Sequence, residues 1–222
     1  MKILAIIPAR GGSKSVPRKN IKEIGGKPLI AYTILEAKKS PLIDRVVVST
    51  EDKEIANISR NLGAEIVERP QDLAEDSTKT EPVLQHALEY LQKKEGYECD
   101  AVILLPATCP FRTVENINDA IDKFNNNTYD TLISLLPVFK YSYSINENDT
   151  LEPLYSERKN RQDGRKQTYL ENGAIYISRS NLIKGGKIFG ERLGYILMDQ
   201  KSSINIDEPI DFLIAKVIIN EQ

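Results

Sequence analysis

The sequence is poor in the residues that build most metal centres and disulfide frameworks. It has one histidine, His86, and two cysteines, Cys99 and Cys109, which do not form a CxxC motif. A single histidine excludes a multi-histidine metal site, so any metal must be held by carboxylates and phosphate oxygens, which favours Mg²⁺ or Mn²⁺. Two cysteines do not make a disulfide framework, and we interpret them as reduced thiols of a cytoplasmic protein.

The sequence also lacks a long hydrophobic run and two common nucleotide-binding motifs. No apolar stretch approaches the roughly 20 residues that a membrane-spanning helix needs, and we recognise no signal peptide. We therefore predict a cytoplasmic protein without a membrane partner. The Walker A patterns GxxxxGKS and GxxxxGKT are absent, and no GxGxxG follows the first predicted strand. Both absences argue against the corresponding nucleotide-binding proteins, including NAD-dependent Rossmann enzymes.

Positive charge is concentrated at the start of the chain. Residues 1–28 contain seven Lys or Arg and one Glu, whereas the whole chain of 222 residues has a net charge of −2. Such local charge suits one small polyanion better than a nucleic-acid track, so we predict no nucleic-acid partner. Hydrophobic residues make up 41% of the chain and charged residues 28%, which is typical of a soluble protein. We predict one domain spanning 1–222.

Strand-like and helix-like segments alternate along most of the chain. Short apolar runs predict strands at 4–7, 45–50, 64–70, 101–110, 130–138, 172–179 and 190–198, and helical spacing predicts helices at 27–40, 52–63, 81–94, 113–124 and near the C-terminus. This alternation predicts an α/β fold with a mainly parallel sheet, which binds ligands at the carboxyl ends of its strands. Loops at Arg10, Arg69, Thr108 and Asp207 follow strand-like runs, so we expect them to converge. The polar, tyrosine-rich stretch at about 139–171 is interpreted as an inserted arm.

Four motifs occur in a characteristic order along the chain. They are IIPARGGSK followed by PRKNI, then ERPQDLAEDST, then LLPATCPFRT, and finally NGAIYI with INIDEPIDF. In these motifs the chain resembles, over essentially its full length, the cytidylyltransferases that make CMP-sialic acid and its relatives. The resemblance implies a Rossmann-like nucleotide-diphosphosugar transferase fold. It also implies transfer of CMP from CTP to the anomeric hydroxyl of an acidic nine-carbon sugar, with release of pyrophosphate.

The resemblance implies roles for the nucleotide-side residues. The triphosphate would be held by Arg10, Gly11, Gly12, Ser13, Lys14 and Lys19, and Asn20 would lie beside the base. Arg69 and the backbone around Thr78 correspond to elements that recognise cytosine, and Thr80 would lie near the ribose. Arg10, Lys14, Lys19 and Asp207 would carry the catalytic charge stabilisation.

The acceptor side departs from the family pattern. The sugar acid would contact Thr108, Arg112, Lys140, Arg161, Gln162, Asn172 and Tyr176. Pro106 stands where the family usually has a glutamine that touches the sugar acid, and Ala107 and Cys109 replace the usual proline and serine. The segment that follows Arg161 is also one residue longer than the commonest family spacing.

The metal-binding segment differs as well. The family typically presents two aspartates one residue apart, whereas this chain has Asn205 and Asp207. A strand would point both side chains to one face. We predict Asp207 as the principal protein ligand of Mg²⁺, or of Mn²⁺, with Asn205 offering a neutral carbonyl oxygen. Asp211 could either bind the metal or only interact favourably with the dipole at the N-terminus of the final helix.

Three further expectations concern assembly and alternatives. In the family the inserted arm crosses to a second subunit, so the resemblance implies a homodimer. The same chemistry could act on pseudaminic or legionaminic acid, or with another nucleotide. A non-catalytic nucleotide-binding homologue is the remaining alternative, and Asn205 is its only support.

Overall fold

The computed structural model describes residues 1–155, 157–158 and 167–221. The strands in chain order are β1 (Ile3–Pro8), β2 (Glu23–Ile24), β3 (Lys27–Pro28), β4 (Arg45–Thr50), β5 (Glu65–Glu68), β6 (Ala101–Leu104), β7 (Thr131–Val138), β8 (Tyr143–Ile145), β9 (Leu151–Pro153), β10 (Thr168–Arg179) and β11 (Leu193–Leu197). The helices are α1 (Leu29–Lys39), α2 (Lys53–Asn61), α3 (Thr80–Glu95), α4 (Val114–Asn125), α5 (Ser180–Lys184) and α6 (Pro209–Asn220). Two short 3₁₀ helices lie at Lys19–Ile21 and Gln71–Ala74.

Seven strands form the central sheet in the order β11-β7-β10-β6-β1-β4-β5. Strand β10 runs antiparallel to both of its neighbours, β6 and β7, and every other pair in the sheet is parallel. The carboxyl ends of the other six strands therefore share one edge, where parallel sheets bind ligands. The predicted α/β fold with a mainly parallel sheet is confirmed.

Both faces of the sheet are covered by helices. Side chains alternate between the faces along β1, which is almost wholly buried. Ile3, Ala5 and Ile7 pack in one cluster with residues of α1, α2 and α4, while Leu4 and Ile6 pack with α3 and α5. Because both faces are buried, the central strands are continuous apolar runs in the sequence.

A third apolar cluster lies outside the sheet. Val16 and Ile24, from the segment after β1, pack with Ile206 and with Phe212 and Ala215 of α6. The basic segment near the N-terminus is thereby packed against the C-terminal helix. This contact brings together two ends of the chain that are almost 200 residues apart.

Some local predictions need correction. Residues 204–207 are not a strand, and Ile206 is held by its backbone N–H, which donates to the Thr108 carbonyl at 2.8 Å. Strand β6 ends at Leu104, earlier than expected. Strand β10 begins at Thr168, inside the stretch assigned to the arm, and the arm contains a hairpin of β8 and β9. No helix among the described residues is long and apolar enough to cross a membrane.

Candidate active site

An open cavity of about 540 Å³ lies at the shared carboxyl edge of the sheet. This volume falls within the usual range for small-molecule sites. The cavity is lined by many of the residues expected from the sequence, namely Arg10, Gly12, Ser13, Lys19, Asn20, Arg69, Thr78, Thr80, Thr108, Tyr176 and Asn205. The expected convergence of the loops after β1, β5 and β6 is therefore observed.

The loop after β1 is fixed by groups from three directions. The Gly11 backbone N–H donates to Glu51 Oε1 at 2.6 Å. The Asn20 side chain, which is buried, donates to the Arg10 carbonyl at 3.0 Å. Arg10 forms an ion pair with Asp76 at 2.6 Å, and Lys14, which is more exposed, pairs with the same carboxylate at 3.1 Å. The loop thus presents Arg10 and Ser13 to the cavity, with Lys14 outside its lining.

Lys19 connects this loop to the segment before α6. Its ammonium donates to the Ile206 carbonyl at 2.8 Å and lies 3.3 Å from Asp207 Oδ1. The Asn205 amide donates to the other carboxylate oxygen of Asp207 at 2.6 Å. The Ser15 hydroxyl donates to the Asp207 backbone carbonyl. The predicted phosphate loop and the predicted metal-binding segment are therefore in direct contact.

Arg69 lines the cavity close to the loop after β1, because it shares the Glu51 carboxylate with the Gly11 N–H. Its guanidinium is buried and donates to Glu51 Oε2 at 2.9 Å. Burial lowers the pKa of Arg69, and the charge of Glu51 opposes that shift. Thr78 and Thr80 line the same side at the start of α3. A helix N-terminus exposes unpaired N–H groups and favours negative charge, so this end of α3 adds to the positive potential of the cavity.

Two residues predicted to contact the sugar are buried away from the cavity instead. Arg112 is 1% exposed, and it donates to the Ala174 carbonyl at 2.7 Å and to the Thr33 hydroxyl at 2.8 Å. Asn172 donates to the Ser203 hydroxyl at 2.9 Å. Neither residue is part of the cavity lining, so the structure does not bring them together with the other predicted site residues. Their donors are used to join loops that form the cavity wall.

Tyr176 does line the cavity, as predicted. Its hydroxyl donates to Glu171 Oε1 at 2.6 Å, and its ring meets Phe189 edge to face. Burial, with the adjacent Glu171, raises the pKa of Tyr176 well above its ordinary value, so the phenol stays protonated at neutral pH. Lys140 is exposed and is not part of the lining. Arg161 and Gln162 lie outside the described residues.

Asp207 and Asn205 are the groups that could hold a divalent cation. Asp211 accepts hydrogen bonds from the backbone N–H groups of Asp207 and Glu208, at 2.9 and 2.7 Å, and forms a capping box with Glu208. Of the two roles considered for Asp211, these contacts support the one at the N-terminus of the final helix. No cluster of three or more potential metal-binding side chains occurs among residues 1–155, 157–158 and 167–221. One carboxylate and one carboxamide fit a Mg²⁺ ion whose other ligands are phosphate oxygens and water.

Cys109 is unsuited to nucleophilic catalysis. It is 1% exposed, and burial raises the pKa of its thiol. Its sulfur lies 3.5 Å from the Gly173 carbonyl and 3.7 Å from Asn205 Oδ1. The thiol therefore fills space behind the cavity wall.

Sequence reasoning missed the acidic residues of the site: the cavity is lined by Glu75, Asp76, Glu81 and Glu171, and Glu51 lies just outside its lining. Three of them are next to a recognised feature: Glu51 follows β4, Asp76 lies within ERPQDLAEDST, and Glu171 precedes NGAIYI. Their position after a strand or within a motif was a usable signal. Asp76 pairs with Arg10 and Lys14, and Glu51 pairs with Arg69, whereas Glu171 accepts from the Tyr176 hydroxyl.

Comparisons with known proteins identify the family of the chain. A family model described as cytidylyltransferase matches residues 4–216. A CMP-N,N'-diacetyllegionaminic acid synthase of Legionella pneumophila is 35% identical, over 99% of this chain and 97% of the relative. A pseudaminic acid cytidylyltransferase of Campylobacter jejuni is 33% identical, over 98% and 96%. An N-acylneuraminate cytidylyltransferase of Escherichia coli is 32% identical over 98% of this chain and 52% of the relative.

A solved structure shares the fold. The structure of a CMP:2-keto-3-deoxy-manno-octonic acid synthetase complexed with CTP superposes with a TM-score of 0.75 and 16% identity, over 100% of this chain and 99% of that chain. The predicted nucleotidyltransferase fold is thereby confirmed. Because the family model spans most of the chain, the protein belongs to the cytidylyltransferase family and is a nucleotidyltransferase.

Proposed function

We propose that this enzyme transfers CMP from CTP to the anomeric hydroxyl of a sialic-acid-like nonulosonic acid and releases pyrophosphate. The observation that carries the proposal is the cavity whose lining combines Arg10 and Lys19 with the buried Arg69. Such an arrangement suits a ligand with a polyanionic end and a planar polar end. The names of the curated relatives support a nonulosonic acid as the acceptor.

In this proposal the loop after β1 neutralises the triphosphate. Arg10, Lys14 and Lys19 carry the charge that stabilises the developing negative charge at the α-phosphate. Gly12 and Ser13 line the cavity, and in this proposal their backbone N–H groups bind phosphate oxygens. Arg69 and the start of α3, around Thr78 and Thr80, hold the cytosine and the ribose.

The acceptor binds on the side formed by Thr108, Tyr176 and Glu171. These residues line the cavity beside β6 and β10. Pro106 lines it too, in place of the family's usual glutamine. The carboxylate of the sugar acid would then have to be met by cations from elsewhere, for which Lys140, Arg161 and Gln162 of the arm are our candidates.

We propose that the arm at about 139–171 supplies those residues to a second subunit, in a homodimer of single-domain chains. The hairpin of β8 and β9 supports this, because Tyr143, Ile145, Leu151 and Leu154 expose large apolar side chains. Exposed apolar side chains grouped on one element indicate an interaction surface. We also propose that the enzyme works in the cytoplasm, where CTP is made.

Mg²⁺ is the proposed cofactor, with Mn²⁺ as a substitute. Asp207 would hold it, together with the carbonyl oxygen of Asn205 after rotation of the amide. When bound, the ion would offset charge on the phosphates. Lys19, at 3.3 Å from Asp207, orients that carboxylate at the entrance to the cavity.

Pyrophosphate release tests the proposal directly. The purified protein is incubated with CTP, Mg²⁺ and one of a panel of acids that contains neuraminic, legionaminic and pseudaminic derivatives. Release with at least one acid, and none without an acceptor, is the expected result. Tight CTP binding without release for any acid would instead favour a non-catalytic homologue.

Replacing CTP by UTP or ATP in the same assay measures base selection. Omitting Mg²⁺ is expected to abolish release. Restoration of release by Mn²⁺ would agree with an oxygen-ligated site. Turnover that is unaffected by chelation would contradict the proposed cofactor.

A further inference from the structure

Glu51 joins the two halves of the nucleotide site. It is the first residue after β4, the strand that lies between β1 and β5 in the sheet. One of its carboxylate oxygens accepts the Gly11 N–H at 2.6 Å, and the other accepts the Arg69 guanidinium at 2.9 Å. A single side chain therefore connects the loop after β1 with the loop after β5.

The connection is made in a protected environment. The side chains of Arg69 and Glu51 are 4% and 10% exposed, unlike the other ion pairs near the loop, whose acidic members are more open to solvent. A charge pair of this kind is screened little by salt or water. Losing one partner leaves the other charge buried and unpaired, which is costly. The position of Arg69 is therefore strongly dependent on Glu51.

Glu51 does not itself face the substrate cavity. It lies outside the cavity lining, whereas Arg69 lines both that cavity and a separate depression behind it, which Glu51 also lines. Any effect of Glu51 on the nucleotide must act through the two groups that it holds. Gly11 and Arg69 belong to the triphosphate side and to the base side, respectively.

We propose that Glu51 is a positioning residue that fixes the triphosphate loop relative to the base-side arginine, so that affinity and base selection depend on one carboxylate. The proposal rests on the proposed function, because it assumes that the cavity binds CTP. It predicts that removing the carboxylate lowers CTP affinity and also weakens discrimination against UTP. A residue needed only for folding would lower stability without changing the ratio of the two affinities.

The variant Glu51→Gln removes the charge and keeps the size of the side chain. Glutamate uses one carboxylate oxygen for Gly11 and the other for Arg69. Glutamine has one acceptor oxygen, and its NH₂ group is a donor, so the variant keeps only one of these two hydrogen bonds in the same geometry. We expect CTP affinity to fall by about 10- to 100-fold, as for loss of a buried charge-assisted hydrogen bond. The CTP/UTP affinity ratio is expected to move towards one.

Calorimetric titration of the metal-free protein with CTP, UTP and inorganic tripolyphosphate measures these quantities. Glu54→Gln is the matched control, because Glu54 lies three residues away, pairs with Arg18 and is exposed. It is expected to bind all three ligands as the wild type does. Thermal unfolding of each variant shows that the compared proteins are folded.

The outcomes separate this proposal from the proposed function. Wild-type protein that fails to bind CTP contradicts the proposed function. Wild-type protein that binds CTP, with Glu51→Gln unchanged in both affinity and CTP/UTP ratio, overturns the role of Glu51. If Glu51→Gln does not fold, Glu51→Asp replaces it. Aspartate keeps the charge but is one methylene too short to reach both partners, so the same losses are expected.

Discussion

Replacing Gly11 with alanine places a methyl group against the residue that caps α2. A Cβ at Gly11 would overlap the Oδ2 atom of Asp52 and lie 3.0 Å from the Asp52 Cβ. A Cβ at the neighbouring Gly12 would meet no atom within 4 Å. The two substitutions therefore differ in their steric effect although they are adjacent in one loop.

The expected loss of stability in Gly11→Ala follows from the contacts that Asp52 would lose. Its carboxylate accepts the Glu54 and Ile55 N–H groups at 2.9 Å each, as the N-cap of α2, and it pairs with Arg18. Loss of an N-cap costs about 0.5–2 kcal/mol and loss of a largely exposed ion pair about 0.2–1 kcal/mol. We expect Gly11→Ala to lower the free energy of unfolding by about 1–3 kcal/mol, or to lower Tm by roughly 4–8 °C at the middle of that range.

Thermal and urea unfolding of the two alanine variants and the wild type measure this cost. Gly12→Ala should remain within about 0.5 kcal/mol of the wild type, as is usual for an exposed site. Combining Gly11→Ala with Asp52→Ala should cost less than the sum of the two single changes, because both disturb the same cap. Asp52→Ala removes only part of the steric overlap with the methyl group added at position 11, because the Cβ at position 52 remains. Equal stability of Gly11→Ala and Gly12→Ala would refute the steric reasoning.

Three other expectations concern acidic residues. Asp207→Ala should reduce Mg²⁺-dependent pyrophosphate release on the order of 100-fold or more, since a metal ion supplies several kcal/mol of charge stabilisation; near-normal turnover in a steady-state assay would exclude Asp207 from the proposed site. Asp76→Asn should tighten CTP binding in calorimetry, because its carboxylate now competes for Arg10 and Lys14, and weaker binding would contradict this. Hydrogen bonding from Arg18 holds the pKa of Asp52 below its usual value, so Asp52 contributes stability that is present above pH 4 and is lost as the pH falls through the lowered pKa. The stability difference between wild type and Asp52→Asn should therefore be full at pH 6 and shrink below about pH 4 in urea titrations; a difference that does not change with pH would contradict the ion pair.

Local sequence signals predicted local structure well. The β-branched run at β4 has the predicted bounds, Arg45–Thr50. The helix predicted at 113–124 begins with a capping box, in which Thr113 is the N-cap and Asn116 is the reciprocal partner. Both features depend on residues within a few positions of one another, so the sequence contains what is needed to identify them.

The direction of the side chains on β10 was not predictable from the motif. Simple alternation would place Asn172 and Tyr176 on one face. The pairing of β10 with β7 shifts register between Glu171 and Tyr176, and Gly173 has a φ of +72°. This irregularity turns Asn172 into the interior while Glu171 and Tyr176 face the cavity. A bulge is set by the partner strand, which the local sequence does not show.

The contacts of Arg112 were not predictable from the sequence for a different reason. A cation next to a predicted ligand loop is expected to meet an anion, because arginine is rarely fully buried without a charged partner. Here two backbone carbonyls and the Thr33 hydroxyl accept from its guanidinium. Those acceptors come from three distant parts of the chain, so only the assembled fold reveals them.

The packing of the basic loop against α6 has a consequence for synthesis on the ribosome. Val16 and Ile24 are buried by Ile206, Phe212 and Ala215, and Lys19 reaches the Ile206 carbonyl. The loop is synthesised long before the residues that hold it, which lie in α6 and just before it. A nascent chain can form β1 and its parallel neighbours long before the loop is held in place. The loop therefore reaches its final packing only after Ile206, Phe212 and Ala215 have been synthesised.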